Sequence, residues 1–438
     1  MKSIGRWGRI SALVGILALF AAACGGDDAG PGGGDVKTDL GVTTAACPGS
    51  THADRGCIYL GVLSDLTVGP FRALAVPITD GQKAFWKRVN DGNGIGGKYD
   101  VDITKYTRDN EYNPQKHVAQ LRQILPNILA LAQSLGTPPT IAAKDIMEDE
   151  NLVAAPASWW SGWAFEDLVI ESGHNYCVES MNGLDWASET FGKPDTLMAV
   201  HYPGDYGGDS AAGVTKWAQA NDVAFPKAND VQTAPNATAG NQDAPVAAIL
   251  RVKPDVVMLA TGPAEMAEIV GKAAAGGFTG RFVGSSPTYN PAVIAPTSPA
   301  RTAILGLYNF VSPWATFGTN TPAHNAMKAA AGSTPPANDG FTSGWIWSYA
   351  MKAVLEKAFE LGDLTREGVR NAVKQTTVDY EGALPDKNLG GDANTNVVRQ
   401  SLISKPDEKG LLGASTVKEF FVGPTAEDFS FTEPCQKL

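Results

Sequence analysis

The chain has little histidine and little cysteine, and it lacks a long apolar run. Its five histidines, His52, His117, His174, His201 and His324, have no paired spacing, and neither H-E-x-x-H nor G-x-S-x-G occurs in the 438 residues. Those absences remove the signatures of zinc hydrolases and of nucleophile-elbow hydrolases, so the sequence points away from an enzyme. The five cysteines include no C-x-x-C pair, the spacing a structural zinc takes, and we expect no metal and no cofactor. Basic residues form no stripe, and the net charge is -11, which argues against a nucleic-acid partner. No short-period repeat is present, which excludes a solenoid.

The most apolar stretch, Ile10 to Ala23, is too short to cross a membrane, which takes roughly 20 apolar residues. It follows Lys2, Arg6 and Arg9 and ends in Ala21-Ala22-Ala23-Cys24. A basic start, a short apolar middle and small residues at the end describe a removed signal peptide over residues 1–23. The last four residues resemble the lipobox of bacterial lipoproteins. That resemblance implies a lipid on Cys24 and an extracytoplasmic protein anchored to the cell membrane, in a periplasm or at the cell surface. Residues 24–46, with Gly-Gly-Asp-Asp and Gly-Pro-Gly-Gly-Gly, hold too little apolar surface to fold and are expected to be a flexible tether.

With Cys24 lipidated, Cys47, Cys57, Cys177 and Cys435 are left for two disulfides. Cys47 and Cys57 enclose a short loop, so we pair them with each other and Cys177 with Cys435. Two other pairings stay open at the level of sequence.

From Cys57 onward, short apolar runs alternate with helical patterns. Strands are expected at Ile58–Leu63, Val101–Tyr106, Ile128–Ser134 and Leu152–Ala155. Helices are expected at Asp80–Asn90, Pro114–Ile124 and near Ile141–Glu150. A second series follows Cys177: strands Thr196–His201, Val223–Phe225, Asp255–Leu259, Arg281–Gly284 and Ile304–Val311, with helices between them and a long helix Gly344–Leu361. Such alternation predicts an α/β protein of two doubly wound parallel-sheet lobes with a crevice between them. Gly92-Asn-Gly-Ile-Gly-Gly97 matches G-x-G-x-x-G, but it follows a helix and precedes a strand, the reverse of a nucleotide site, and reads as a helix stop and turn.

Ligands of open α/β sheets sit beyond the carboxyl ends of strands. Loops with that placement supply the candidate ligand-binding residues Thr137, Thr140, Ala157, Ser158, Trp159, Tyr206, Gly262 and Ser286. Trp159, Trp160 and Trp163 bury large area either in a core or against a ligand, and the sequence leaves both open.

In order along the chain come Gly61-Val-Leu-Ser-Asp-Leu-Thr-Val-Gly-Pro-Phe71, Gly94-Ile-Gly-Gly97, Asp109-Asn-Glu-Tyr-Asn-Pro-Gln115, Glu150-Asn-Leu-Val-Ala-Ala-Pro156, Tyr206-Gly207, Pro254-Asp-Val-Val257 and Ala264-Glu-Met266. This series resembles the solute-binding proteins of bacterial ABC importers, branched-chain amino-acid (leucine/isoleucine/valine) type, with the type I periplasmic-binding-protein fold. The resemblance covers residues 57 to 435. It implies two lobes joined by a three-segment hinge: lobe 1 over 57–180 and 312–380, lobe 2 over 181–311 and 381–438. It also implies a monomer that clamps a small molecule and delivers it to ABC permease subunits.

By the same resemblance Thr137 holds a ligand carboxylate with help from helix-start N–H groups. Ala157 contacts that region through its backbone, and Tyr206 closes from the opposite lobe. Three positions depart: Trp159 replaces a Thr, Gly262 or Pro263 a Tyr, and Ser286 the Glu that pairs with an α-ammonium. A buried ammonium without a counter-charge is costly, so a free amino acid fits only if Asp65, Asp205 or Glu265 substitutes. An apolar or aromatic acid or amide fits better. The alternative is an extracytoplasmic ligand-sensing module that signals to a partner protein.

Overall fold

Strand Gly56–Ser64 is buried at every position, as a central parallel strand covered on both faces must be. In the computed structural model, which describes residues 36–438, it is flanked on one side by Ala130–Leu135 and then Ala154–Ala157. On its other side lie Tyr99–Asp102 and Thr107–Asp109, and all these pairings are parallel. The signal segment 1–23, Cys24 and the tether up to residue 35 lie outside the described residues.

The second sheet runs in the order Ala414–Phe421, Ser401–Pro406, Tyr308–Ser312, Arg281–Gly284, Val256–Ala260, Leu197–His201, Asp230–Gln232. Its last five strands are parallel, and the two C-terminal strands are antiparallel additions at one edge. The chain passes between the sheets three times, over residues 158–175, 313–321 and 380–400. Two α/β lobes of doubly wound type result.

The segment expected as tether differs from expectation over residues 36–46. Lys37–Thr38 pairs in parallel with Asp363–Leu364, and Val42–Thr43 pairs antiparallel with Cys57 and Ile58. Val36 and Val42 pack against the first core, so this stretch has apolar anchors that the glycine-rich part lacks. Both disulfides form, Cys47–Cys57 and Cys177–Cys435. The helix Tyr176–Phe191, which a lobe border at residue 180 would cut, packs against the helix Gly204–Ala220 and the second sheet.

Four other elements shift, the first being the expected strand Val101–Tyr106, which divides into Tyr99–Asp102 and Thr107–Asp109. Val223–Phe225 forms no strand, and Asp230–Gln232 takes the edge of the sheet. The expected strand at 304–311 divides into helix Arg301–Leu307 and strand Tyr308–Ser312. The expected helix near 141–150 divides into Thr137–Ala142 and Lys144–Asp149. Gly92–Gly97 is a turn in which Gly94, Gly96 and Gly97 take positive φ, as expected of a helix stop.

The first lobe is closed by helices Arg72–Asp91 and Gly340–Glu360, which cross at glycine on both sides. A Cβ on Gly81 would stand 2.1 Å from the Phe341 carbonyl oxygen, and one on Gly344 would stand 1.9 Å from that of Ile78. Beside this crossing Phe85 meets Trp345 and Tyr349 edge-on, at ring-centroid distances of 5.5 and 4.8 Å. Gly344→Ala gains about 1 kcal/mol of helix propensity. It forces an overlap with backbone that costs more, so the net loss expected in urea denaturation is about 2 kcal/mol.

Candidate functional site

A cavity of about 60 Å³ lies where the two lobes meet. It holds a few waters at most, so a solute of ordinary size enters only as the lobes part. Its walls are apolar: Phe71, Leu74, Ala75 and Ile78 from the start of the first helix, Leu135 from the first sheet, and Trp159, Tyr176 and Trp347 around the crossover. Asp205, Tyr206 and Pro287 close it from the second lobe.

Four of the residues expected from sequence line this cavity: Ala157, Ser158, Trp159 and Tyr206. Thr137 stands one hydrogen bond behind. Its hydroxyl donates to Ser158 Oγ at 3.0 Å, and Ser158 Oγ also accepts the Trp163 indole N–H at 3.1 Å. The other three lie elsewhere. Thr140 shares a hydrogen bond of 2.7 Å with Ser134 inside the first lobe. Gly262 donates its N–H to the Tyr202 hydroxyl at 2.8 Å, and Ser286 gives its N–H to Glu179 at 2.6 Å.

The three tryptophans divide between the two roles. Trp159 is a cavity wall, held by an N–H bond of 2.8 Å to the Ser172 carbonyl. Trp160 and Trp163 pack edge-on against each other at 5.3 Å, and Trp160 donates to the Gln436 carbonyl at 2.8 Å. These two are therefore structural, and Trp160 ties down the C-terminal tail.

Of the three carboxylates that could stand in for the missing Glu, two are engaged elsewhere. Asp65 accepts the N–H groups of Gly69 and Phe71, each at 2.8 Å. Glu265 accepts the Tyr202 hydroxyl at 2.8 Å and the Asn236 N–H at 2.7 Å. Asp205 alone lines the cavity. It sits in the first turn of the helix Gly204–Ala220, where the positive end of the helix dipole favours a carboxylate. Burial nevertheless raises its pKa above the ordinary range, against the lowering effect of the Thr137 hydroxyl and the N–H of Tyr206.

The helix start at Thr137 offers less to an anion than the resemblance implied. It reads Thr137-Pro138-Pro139-Thr140, and the two prolines carry no N–H where a free donor is needed. That signal was legible in the sequence. Phe71, Tyr112, Tyr176 and Trp347 were not assigned to the site, because each is brought in from a different loop or helix and no local pattern marks it. Among the described residues no three His, Cys, Asp or Glu side chains gather as a metal site.

A family model described as periplasmic binding protein matches residues 58–409. No curated relative matches the chain. Among solved structures, the chain is similar to a fatty acid ABC transporter substrate-binding protein from Thermomonospora curvata. The two are 27% identical, with a TM-score of 0.79 over 90% of this chain and 97% of that one. A branched-chain amino acid ABC transporter protein from Thermus thermophilus with bound valine is 17% identical, with a TM-score of 0.71 over 85% and 98%. A leucine binding protein from Thermotoga maritima is 14% identical, with a TM-score of 0.67 over 83% and 98%.

In Trp160→Phe the Gln436 carbonyl loses its donor while the aromatic packing is kept. Hydrogen exchange over residues 430–438 is expected to quicken about fivefold, the effect of one lost hydrogen bond near 1 kcal/mol. Trp159→Phe, whose indole bonds Ser172 instead, leaves exchange there unchanged.

Proposed function

Because the chain belongs to the periplasmic binding protein family, we propose that it is the extracytoplasmic solute receptor of an ABC importer, held at the membrane by lipid on Cys24. It takes a small solute with an apolar or aromatic body between its lobes and delivers it to the permease. The observation that carries this reading is the cavity shared by the two lobes, lined by Trp159, Trp347 and Tyr206. The Thermomonospora relative is named for fatty acids and the Thermus one holds valine, which are both small solutes with apolar bodies. Trp159 takes the volume where amino-acid binders keep a small hydroxyl residue, which favours an apolar or aromatic solute over a simple branched amino acid.

Small-angle scattering with and without solute tests the clamp, alongside thermal shifts across a broad metabolite panel. A true ligand at a hundred times its dissociation constant stabilises the protein by about 2.7 kcal/mol and reduces the radius of gyration. No shift with any solute in the panel ends the proposal. Cys24→Ser, expressed in a bacterial host, is expected to move the protein from the membrane fraction to the soluble one. Intact-mass analysis of the wild-type protein should find a diacylglyceryl adduct on the mature N-terminus.

A further inference from the structure

The cavity pairs six aromatic rings with one carboxylate and has no Lys, Arg or His in its lining. Trp347, Trp159, Tyr176 and Tyr206 form a continuous wall, with successive ring centroids 5.0, 6.0 and 4.7 Å apart. Phe71 and Tyr112, 4.8 Å apart, supply the other two rings. Asp205 is 5% exposed and stands among them.

The groups around Asp205 are all neutral or acidic. Thr137 faces it from the helix start, Tyr112 from the loop after the third parallel strand, and Tyr176 from the crossover helix. Asp209 follows one turn later on its own helix. A buried carboxylate without a cation is costly, and aromatic faces add negative potential to the same space. A carboxylate ligand would meet repulsion from Asp205 and, with Pro138 and Pro139 at the nearby helix start, few backbone donors.

We propose that the solute is an organic cation, a protonated amine on an apolar or aromatic body. Its charge is held by Asp205 and by the faces of the surrounding rings. The indole N–H of Trp347, on the same aromatic wall, is buried and has no acceptor in the protein. This assignment rests on the solute-receptor reading and narrows it to one class of ligand.

Calorimetry at pH 7 with phenylethylamine, phenylethanol and phenylacetate, and with octylamine against octanoate, tests it. Each amine is expected to bind at least about tenfold tighter than its alcohol or acid counterpart. In Asp205→Asn, which keeps shape and removes charge, the amine is expected to lose its advantage over the alcohol. If that variant fails to fold, the wild-type series still decides. An acid that binds as tightly as its amine overturns the cation assignment, as does no binding by either amine or an unchanged amine-to-alcohol ratio in Asp205→Asn. Closure and stabilisation by acids alone would leave the receptor reading standing and remove only this one. Silence across the whole metabolite panel would remove both.

Discussion

Asp209 is wholly buried where three parts of the chain meet. Its carboxylate accepts the N–H of Ser161 at 3.0 Å, the Ser161 hydroxyl at 2.5 Å and the N–H of Gln436 at 3.2 Å. Ser161 Oγ in turn accepts the N–H of Cys435 at 2.8 Å, and Cys435 is bonded to Cys177 on the crossover helix. One side chain therefore fixes the first crossover, the helix Gly204–Ala220 and the C-terminal tail together. Burial raises its pKa to about 7, and the three donors only partly offset that. A folded pKa above the unfolded value means that stability from this group is lost as pH rises from the unfolded value through about 7. The same residue that organises the junction thus strains it as it ionises.

The interlobe cavity depends on that junction. Asp205 and Tyr206 lie one turn before Asp209 on the same helix, and Trp159 lies two residues before Ser161 on the crossover. Fixing Ser161 against Asp209 sets how closely the Trp159 wall approaches the helix start of the second lobe. The Tyr206 hydroxyl is spent on the Thr261 carbonyl at 3.0 Å, so its ring meets the cavity as an apolar face. A polar network thus positions apolar walls, which is how a site of few hydrogen bonds can still hold a defined shape.

What the sequence made legible follows from period and punctuation. Buried parallel strands read as continuous apolar runs, so Gly56–Ser64 and Val256–Ala260 were visible in the sequence, as was the helix opened by Asn113 and Pro114. The edges were less visible. Ala414–Phe421 is half-exposed along most of its length and lacks an apolar run, and residues 36–46 are held by two short strand pairings with Val36 and Val42 as their apolar anchors. Ala157, Ser158 and Trp159 were legible as crevice residues because they end or follow a parallel strand, where the loops of such a sheet open onto the crevice. Gly262 and Ser286 have that same placement, yet their N–H groups are used by Tyr202 and Glu179 within the second lobe. Loop position alone cannot tell a donor aimed at a ligand from one already bonded inside its own lobe.

The resemblance carried the fold. On the proposed reading, Pro138 and Pro139 leave the helix start at Thr137 short of backbone donors, and Asp205 places a carboxylate in the cavity wall. Both features act in one direction, because each makes the cavity less able to hold negative charge and better able to hold positive charge. Trp159 then adds an aromatic face and removes the volume of a second polar group. On the proposed reading, charge selectivity at that end of the cavity is set by Asp205 and the two prolines, which lie outside the strands of both sheets.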